Sequence, residues 1–220
     1  MVRIKICGIT SFADAQAACE AGADSLGFNF YEQSPRLISV ADAAKIRAAL
    51  AKHVEAVGVF VNLPIDDVSA TCSSVRLDAA QLHGDESPKT VADLARKFAI
   101  IKAFRVNADF TLDALDRYAE AFAFLLDASQ AGQYGGTGHT TDWALARRAA
   151  AAHRIILAGG LKPENVAAAI RTVRPYAVDV ASGVESKPGK KDHARLREFI
   201  QEVRRAEKQF DAHAEKSNLS

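Results

Sequence analysis

Apolar residues fall in short runs along this chain, and the stretches between the runs carry helical spacing. The runs are RIKICGI from Arg3, DSLGFNF from Asp24, AVGVFVN from Ala56 and DAAQLHG from Asp78, then IIKAFRV from Ile100, FAFLLDA from Phe122, RIILAGG from Arg154 and AVDVASG from Ala177. Their starts repeat at roughly 20 to 30 residues, the length of a strand, a helix and their loops. Several runs are apolar at consecutive rather than alternate positions, which suits strands covered by helices on one face and by a packed interior on the other. The pattern predicts eight parallel strands alternating with eight helices.

Helix starts are marked by ordinary signals: Ser11 with Asp14 three residues on, Ser87 followed by Pro88, and Pro163 with Glu164 in a first turn. The alanine-rich stretch VADAAKIRAALAK from Val40 keeps one narrow apolar face. Eight such units in one chain of this length match the lower end of the (β/α)8 TIM barrel range, whereas an open doubly wound sheet usually has five or six strands. The fold class is therefore α/β, a single barrel. No Pro/Gly/Ser-rich linker divides the chain, so residues 1–207 form one domain, and the polar stretch 208–220 ending EKSNLS is expected to fray.

Composition narrows the function classes. With 220 residues, 49% of them hydrophobic, the chain can bury one substantial core. The net charge is +1 with both signs interspersed, which leaves no basic stripe for a nucleic-acid backbone. No apolar run approaches the roughly 20 residues that cross a bilayer, and the N-terminus lacks a secretory pattern. A cytoplasmic protein with no membrane partner is expected. Cys7, Cys19 and Cys72 are few and lack CxxC spacing, which argues against a disulfide framework and a zinc knuckle. A monomer is the default expectation and a homodimer is possible, because exterior helix faces can serve solvent or a partner.

In such a barrel the active site lies at the C-terminal ends of the strands. Those positions are polar or small: Cys7-Gly8, Asn29 with the loop to Arg36, Asn62, His83-Gly84-Asp85, Arg105, Asp127, Gly159-Gly160 and Ser182-Gly183. The AGG and ASG endings of the last two strands let backbone N–H groups approach a phosphate closely, and loops there are the usual phosphate site of this fold. Turning the chain is the competing role for those glycines. The loop QYGGTG, Gln133–Gly138, lacks the lysine and spacing of a P-loop and suits a lid, a further phosphate contact or a plain surface loop.

Cys7 alone reads as a small buried hydrophobe. On the rim beside Gly8 its thiolate can act as a general base if cations or helix ends lower its pKa. Cys19, spaced with Phe12 and Ala15, and Cys72 belong to the core. Asp127 closes the apolar run FAFLL, where desolvation favours a neutral, proton-donating carboxylic acid; a capping or bracing role is the alternative. Asp179 lies two residues before its rim, where an ionised carboxylate needs a partner. Arg36 beside a proline suits a planar carboxylate through a bidentate contact, with plain solvation as the alternative. His83 is as well explained by satisfaction from Asp85 or backbone as by catalysis. No second histidine or carboxylate stands at metal-ligand spacing, so no metal is implied. Ser182 has no evident histidine partner for a triad.

The ordered set KICGIT (5–10), SPR (34–36), QLHGDE (81–86), LLDA (125–128), GGTG (135–138), LAGGLKPENV (157–166) and DVASGVE (179–185), closed by PGKKD (188–192), resembles phosphoribosylanthranilate isomerase across nearly the whole chain. The resemblance implies tryptophan biosynthesis and an Amadori rearrangement of a phosphosugar-anthranilate substrate, without metal or organic cofactor. It implies that Asp127 protonates the furanose oxygen and that Cys7 removes the proton from the sugar C2. It further implies phosphate at Gly159, Gly160, Ser182 and Gly183, Arg36 toward the anthranilate carboxylate, and Asp179 near the sugar. Thr141-Asp142-Trp143 departs from the family, which commonly has an aromatic before Asp-Trp. The related isomerase of histidine biosynthesis resembles a two-half repeat with acidic residues at opposed strand ends, but here the first strand ends in Cys7. Indole-glycerol-phosphate synthase calls for rim lysines, and Lys102 lies inside its strand. A non-enzymatic phosphosugar-binding barrel predicts substitution at Cys7 or Asp127.

Overall fold

A computed structural model of the chain describes residues 1–106, 110–127 and 143–217, excluding the side chains of 210–217. The glycine loop 133–138, together with Ala128, Thr141 and Asp142 of the motifs above, lies outside the described residues.

Eight parallel strands close into a barrel: β1 Arg3–Cys7, β2 Ser25–Asn29, β3 Glu55–Phe60, β4 Ala79–Leu82, β5 Ala99–Arg105, β6 Ala123–Asp127, β7 Ile155–Ala158 and β8 Ala177–Val180. Closure is the pairing of β8 with β1, in register with Lys5 opposite Asp179. Each expected apolar run coincides with one of these strands, β3 and β5 beginning one residue before their runs. Helices α1 Phe12–Ala21, α2 Val40–Ala49, α3 Ile65–Val75, α4 Pro88–Ala95, α5 Asp113–Asp116, α6 Trp143–Ala150, α7 Pro163–Val173 and α8 His193–Ser217 follow the strands in turn. The fifth is a four-residue turn of helix, shorter than the pattern suggests.

The start signals act as capping chemistry predicts. Ser11 accepts from the amide of Asp14, and Ser87 accepts from that of Thr90 with Pro88 in the first turn. Each satisfies a donor that has no intrahelical partner. At the other end of the chain α8 does not stop near 208, where a frayed tail is expected, but continues to Ser217. The reason is composition: QEVRRAEKQFDAHAEK is built of strong helix formers and contains neither Gly nor Pro.

Side chains alternate along each strand between two apolar compartments. Outward residues such as Ile4, Ile6, Phe28, Phe60, Leu126 and Val178 pack under the helices with Leu196 and Phe199 of α8. Inward residues Val57, Ile101, Ala103, Leu125, Ile156 and Ala158 fill the barrel. Asp127 stands two positions after Leu125 and so faces the same interior, at its C-terminal mouth. By that two-residue step Lys5 and Cys7, Gln81 and His83, and Asp179 also face inward. Of the cysteines assigned to the core, Cys72 is buried, whereas Cys19 is half-buried and its helix neighbour Phe12 is 49% exposed.

Beyond β8 the chain forms a 3-10 turn, Ser182–Val184, and a small antiparallel hairpin of β9 Glu185–Lys187 and β10 Lys190–Lys191. The motif PGKKD turns and completes this hairpin. No helix among the described residues is long and apolar enough to cross a membrane.

Candidate active site

At the C-terminal mouth the inward side chains and loops enclose a cavity of about 430 Å³. Cys7, Arg36, Asp127, Gly159, Gly160, Asp179 and Ser182 all line it, so seven of the eight sequence-predicted site residues meet there. Gly183 does not line it. A Cβ at Gly183 would overlap the carbonyl oxygen of Leu161, so this glycine lets the β8 loop press against the β7 loop. Asn62 is also off the cavity: its side-chain oxygen accepts from the Asp85 amide, bracing the loops after β3 and β4.

On one side the wall is backbone. Gly159 and Gly160 have φ of 82° and 65°, a left-handed region that side chains disfavour, and both lie on the cavity with Leu161 and Ser182. Helix α7 begins three residues after Gly160, and Asn165 donates its side-chain amide to the Gly160 carbonyl, fixing the turn. Consecutive left-handed backbone beside a helix N-terminus is a favourable setting for an anion.

The rest of the site is built of side chains. Lys5 is buried and donates to Asp179 Oδ1 at 3.0 Å and to Gln81 Oε1 at 2.9 Å. This is the partner that an ionised Asp179 requires. Burial disfavours the Lys5 charge, but Asp179 and the neighbouring Cys7 outweigh it and hold the ammonium above the ordinary lysine value. Cys7 sits where Gly27 leaves room, since a Cβ on Gly27 would lie 2.7 Å from Sγ. Cations do stand near the thiol, as expected, yet their effect does not win: burial pushes its pKa up, Asp179 adds to the rise, and Lys5 and Lys191 offset only part.

Arg36 does make a bidentate contact, but its partner is protein. Nε and Nη2 donate to Glu185 at 2.9 and 2.7 Å, leaving Nη1 as the remaining guanidinium nitrogen. Glu185 also receives Lys191 Nζ at 2.9 Å, and these two cations outweigh the effect of burial and keep its carboxyl below the usual range. One carboxylate between two cations leaves a net positive charge beside the cavity.

His83 does not pair with Asp85. Its Nδ1 lies 2.9 Å from Gln81 Nε2, and its Nε2 lies 3.6 Å from Asp127 Oδ2. Lys5, Gln81 and Glu185 are site residues that strand-end positions alone do not single out. The available signal is periodicity: Lys5 and Gln81 are polar residues in otherwise apolar strands, each two positions before an inward rim residue. Among the described residues, no three His, Cys, Asp or Glu side chains are grouped to hold a metal ion.

Known proteins place this barrel in a family. The family model described as N-(5'phosphoribosyl)anthranilate (PRA) isomerase matches residues 4–202. The N-(5'-phosphoribosyl)anthranilate isomerase of Geobacter sulfurreducens is 52% identical over 204 residues, which cover 93% of this chain and 99% of that protein. Among solved structures, phosphoribosyl anthranilate isomerase from Thermotoga maritima is 44% identical with a TM-score of 0.88, covering 93% of this chain and 99% of that one. A second structure, 42% identical over 93% of this chain and 99% of that chain with a TM-score of 0.83, is of a phosphoribosyl anthranilate isomerase in complex with reduced 1-(o-carboxyphenylamino)-1-deoxyribulose 5-phosphate. From its motifs, its closed barrel and these similarities along nearly its full length, the chain belongs to the phosphoribosylanthranilate isomerase family.

Proposed function

We propose that this enzyme converts N-(5-phosphoribosyl)anthranilate to 1-(2-carboxyphenylamino)-1-deoxyribulose 5-phosphate, with Asp127 as general acid and Cys7 as general base. The observation that carries the assignment of roles is that these two residues line one cavity together with the glycine backbone at Gly159 and Gly160.

The protonated Asp127 gives its proton to the furanose oxygen while the anthranilate nitrogen lone pair expels that oxygen from C1, leaving a hydroxyl and a protonated Schiff base. The Cys7 thiolate then removes the C2 proton. The C2–H electrons form the C1–C2 double bond, and the iminium electrons return to nitrogen. The resulting enolamine becomes the ketone as its C2 hydroxyl loses a proton and C1 gains one. One proton has come from Asp127 and one has gone to Cys7, so the substrate is isomerised with no net redox change and no cofactor. A thiol raised by burial has a smaller ionised fraction but is the stronger base once ionised.

The phosphate lies against Gly159, Gly160 and Ser182, with Gly183 contributing through the close approach of the two loops. Arg36, already fixed by Glu185, offers its remaining nitrogen to the anthranilate carboxylate, and Asp179 accepts from a sugar hydroxyl. Anthranilate-type fluorescence, followed on adding freshly made phosphoribosylanthranilate, tests the roles. Cys7→Ser and Asp127→Asn are each expected to lose about 10²–10⁴-fold in kcat, the usual worth of a positioned acid or base. Undiminished turnover in both variants overturns the assignment.

A further inference from the structure

Between the proposed acid and the lysine beside the proposed base runs an unbroken line of polar contacts: Lys5 Nζ to Gln81 Oε1 at 2.9 Å, Gln81 Nε2 to His83 Nδ1 at 2.9 Å, and His83 Nε2 to Asp127 Oδ2 at 3.6 Å. Its direction is fixed by donor count. A lysine ammonium only donates, so the Gln81 oxygen must face Lys5. The amide nitrogen of Gln81 also only donates, so His83 Nδ1 must accept and carries a lone pair. A neutral imidazole with an accepting Nδ1 bears its proton on Nε2, the nitrogen aimed at Asp127.

We propose that Gln81 is a positioning residue that sets the tautomer of His83, so that the ring presents an Nε2 proton to the Asp127 carboxylate. Gln81 is buried within β4 and has no room to reverse its amide without facing two donors at each other at Lys5. The inference rests on Asp127 acting as the acid. As Asp127 gives up its proton it becomes a carboxylate, and a neutral N–H donor stabilises that carboxylate while it forms without holding it ionised beforehand. Hydrogen bonds of the reacting groups are often long before substrate arrives, and 3.6 Å is consistent with one that tightens on binding.

The test reads the ring nitrogens of His83 by ¹⁵N correlation NMR in the free protein at mildly alkaline pH, assigned by loss of the signal in His83→Gln. Wild type is expected to show an unprotonated Nδ1 and a protonated Nε2. In Gln81→Met the constraint is gone, and the shifts are expected to move toward a tautomer mixture. In Gln81→Glu the new carboxylate still accepts from Lys5, so the buried ammonium keeps a partner, but it demands a proton on Nδ1. Either resulting ring state impairs Asp127: a lone pair faces the carboxylate, or an imidazolium holds it ionised. The kcat of both variants is expected to fall roughly 10- to 100-fold, the scale of one hydrogen bond to a charged group, with KM little changed. A protonated Nδ1 in wild type, an unprotonated Nδ1 in Gln81→Glu, or unchanged kcat in both variants overturns the proposal. An active Asp127→Asn overturns the acid role instead and leaves the tautomer assignment standing, so the two failures are distinguishable.

Discussion

Two buried lysines of this barrel hold a carboxylate at the same distance, and their surroundings give them different work. Lys102 Nζ lies 3.0 Å from Glu86 and also donates to the carbonyls of Leu82, Gly84 and Ala103. Three of its four acceptors are backbone, and Glu86 is itself tied to the amides of Asn62 and Gly84. The group is saturated and faces away from the cavity, bracing the loops after β3 and β4. Lys5 lies 3.0 Å from Asp179 inside the barrel, with Gln81 as its other side-chain partner and Cys7 as a neighbour whose ionisation it favours. Its contacts are side chains that meet the cavity. A buried ion pair is therefore poor evidence of function by itself. The identity of the remaining partners, fixed backbone or cavity-facing side chains, is what separates a brace from a site.

The comparison can be broken most forcefully by removing each ammonium. Lys5→Met and Lys102→Met both leave a buried carboxylate unpaired, and each is expected to cost about 3–5 kcal/mol in urea unfolding. They should part in kinetics: kcat per folded molecule falls for Lys5→Met and holds for Lys102→Met. Equal losses of kcat in the two variants contradict the distinction.

A smaller effect is expected at Gly27, where an added methyl would lie 2.7 Å from the Cys7 sulfur. Gly27→Ala should displace the thiol and cost about 1–3 kcal/mol of stability by overpacking, with a fall in kcat that a control at a non-contacting glycine does not reproduce. Smaller again is a shift in titration. In a background lacking Cys19 and Cys72, the ultraviolet absorbance of the thiolate should place Cys7 above an ordinary thiol, because burial dominates. Lys5→Met removes a cation that favours the thiolate, so the midpoint should move further up. A downward move contradicts the role given to Lys5. The smallest change is at a helix cap that does not line the cavity, where Ser87→Ala should cost about 1 kcal/mol in stability and leave kcat unchanged.

The βα repeat was legible because each strand is covered on both faces, which writes eight nearly continuous apolar runs into the chain. The glycines of LAGG marked a special backbone, and Gly159 and Gly160 do adopt left-handed φ values of 82° and 65° that glycine tolerates best. Sequence position grouped Cys7, Asp127 and Asp179 correctly on one interior because side chains in a strand alternate strictly. It misjudged partners. His83 has Asp85 two residues on, yet it meets Gln81, two residues back on the same inward face, and Asp127 of β6, because Asp85 lies in the loop beyond β4 where Asn62 holds its amide. Arg36 reads as an open carboxylate receptor, but Glu185, 149 residues on, takes two of its nitrogens. The continuation of α8 past 208 was missed because polarity suggested fraying where local helix propensity was strong.

By itself, then, the sequence determined the barrel, the order of its units and the ends of the strands on which polar residues collect, because hydrophobic periodicity and capping act locally. Only the tertiary structure decided which charges neutralise one another, Lys5 with Asp179 and Arg36 with Glu185, and that Lys5 meets the amide of Gln81. Those pairings depend on barrel closure, which brings β8 back beside β1 and sets Asp179 against Lys5 across 174 residues of chain. Long-range contact of this kind has no local signature, and the direction of each hydrogen bond follows only once the partners are known.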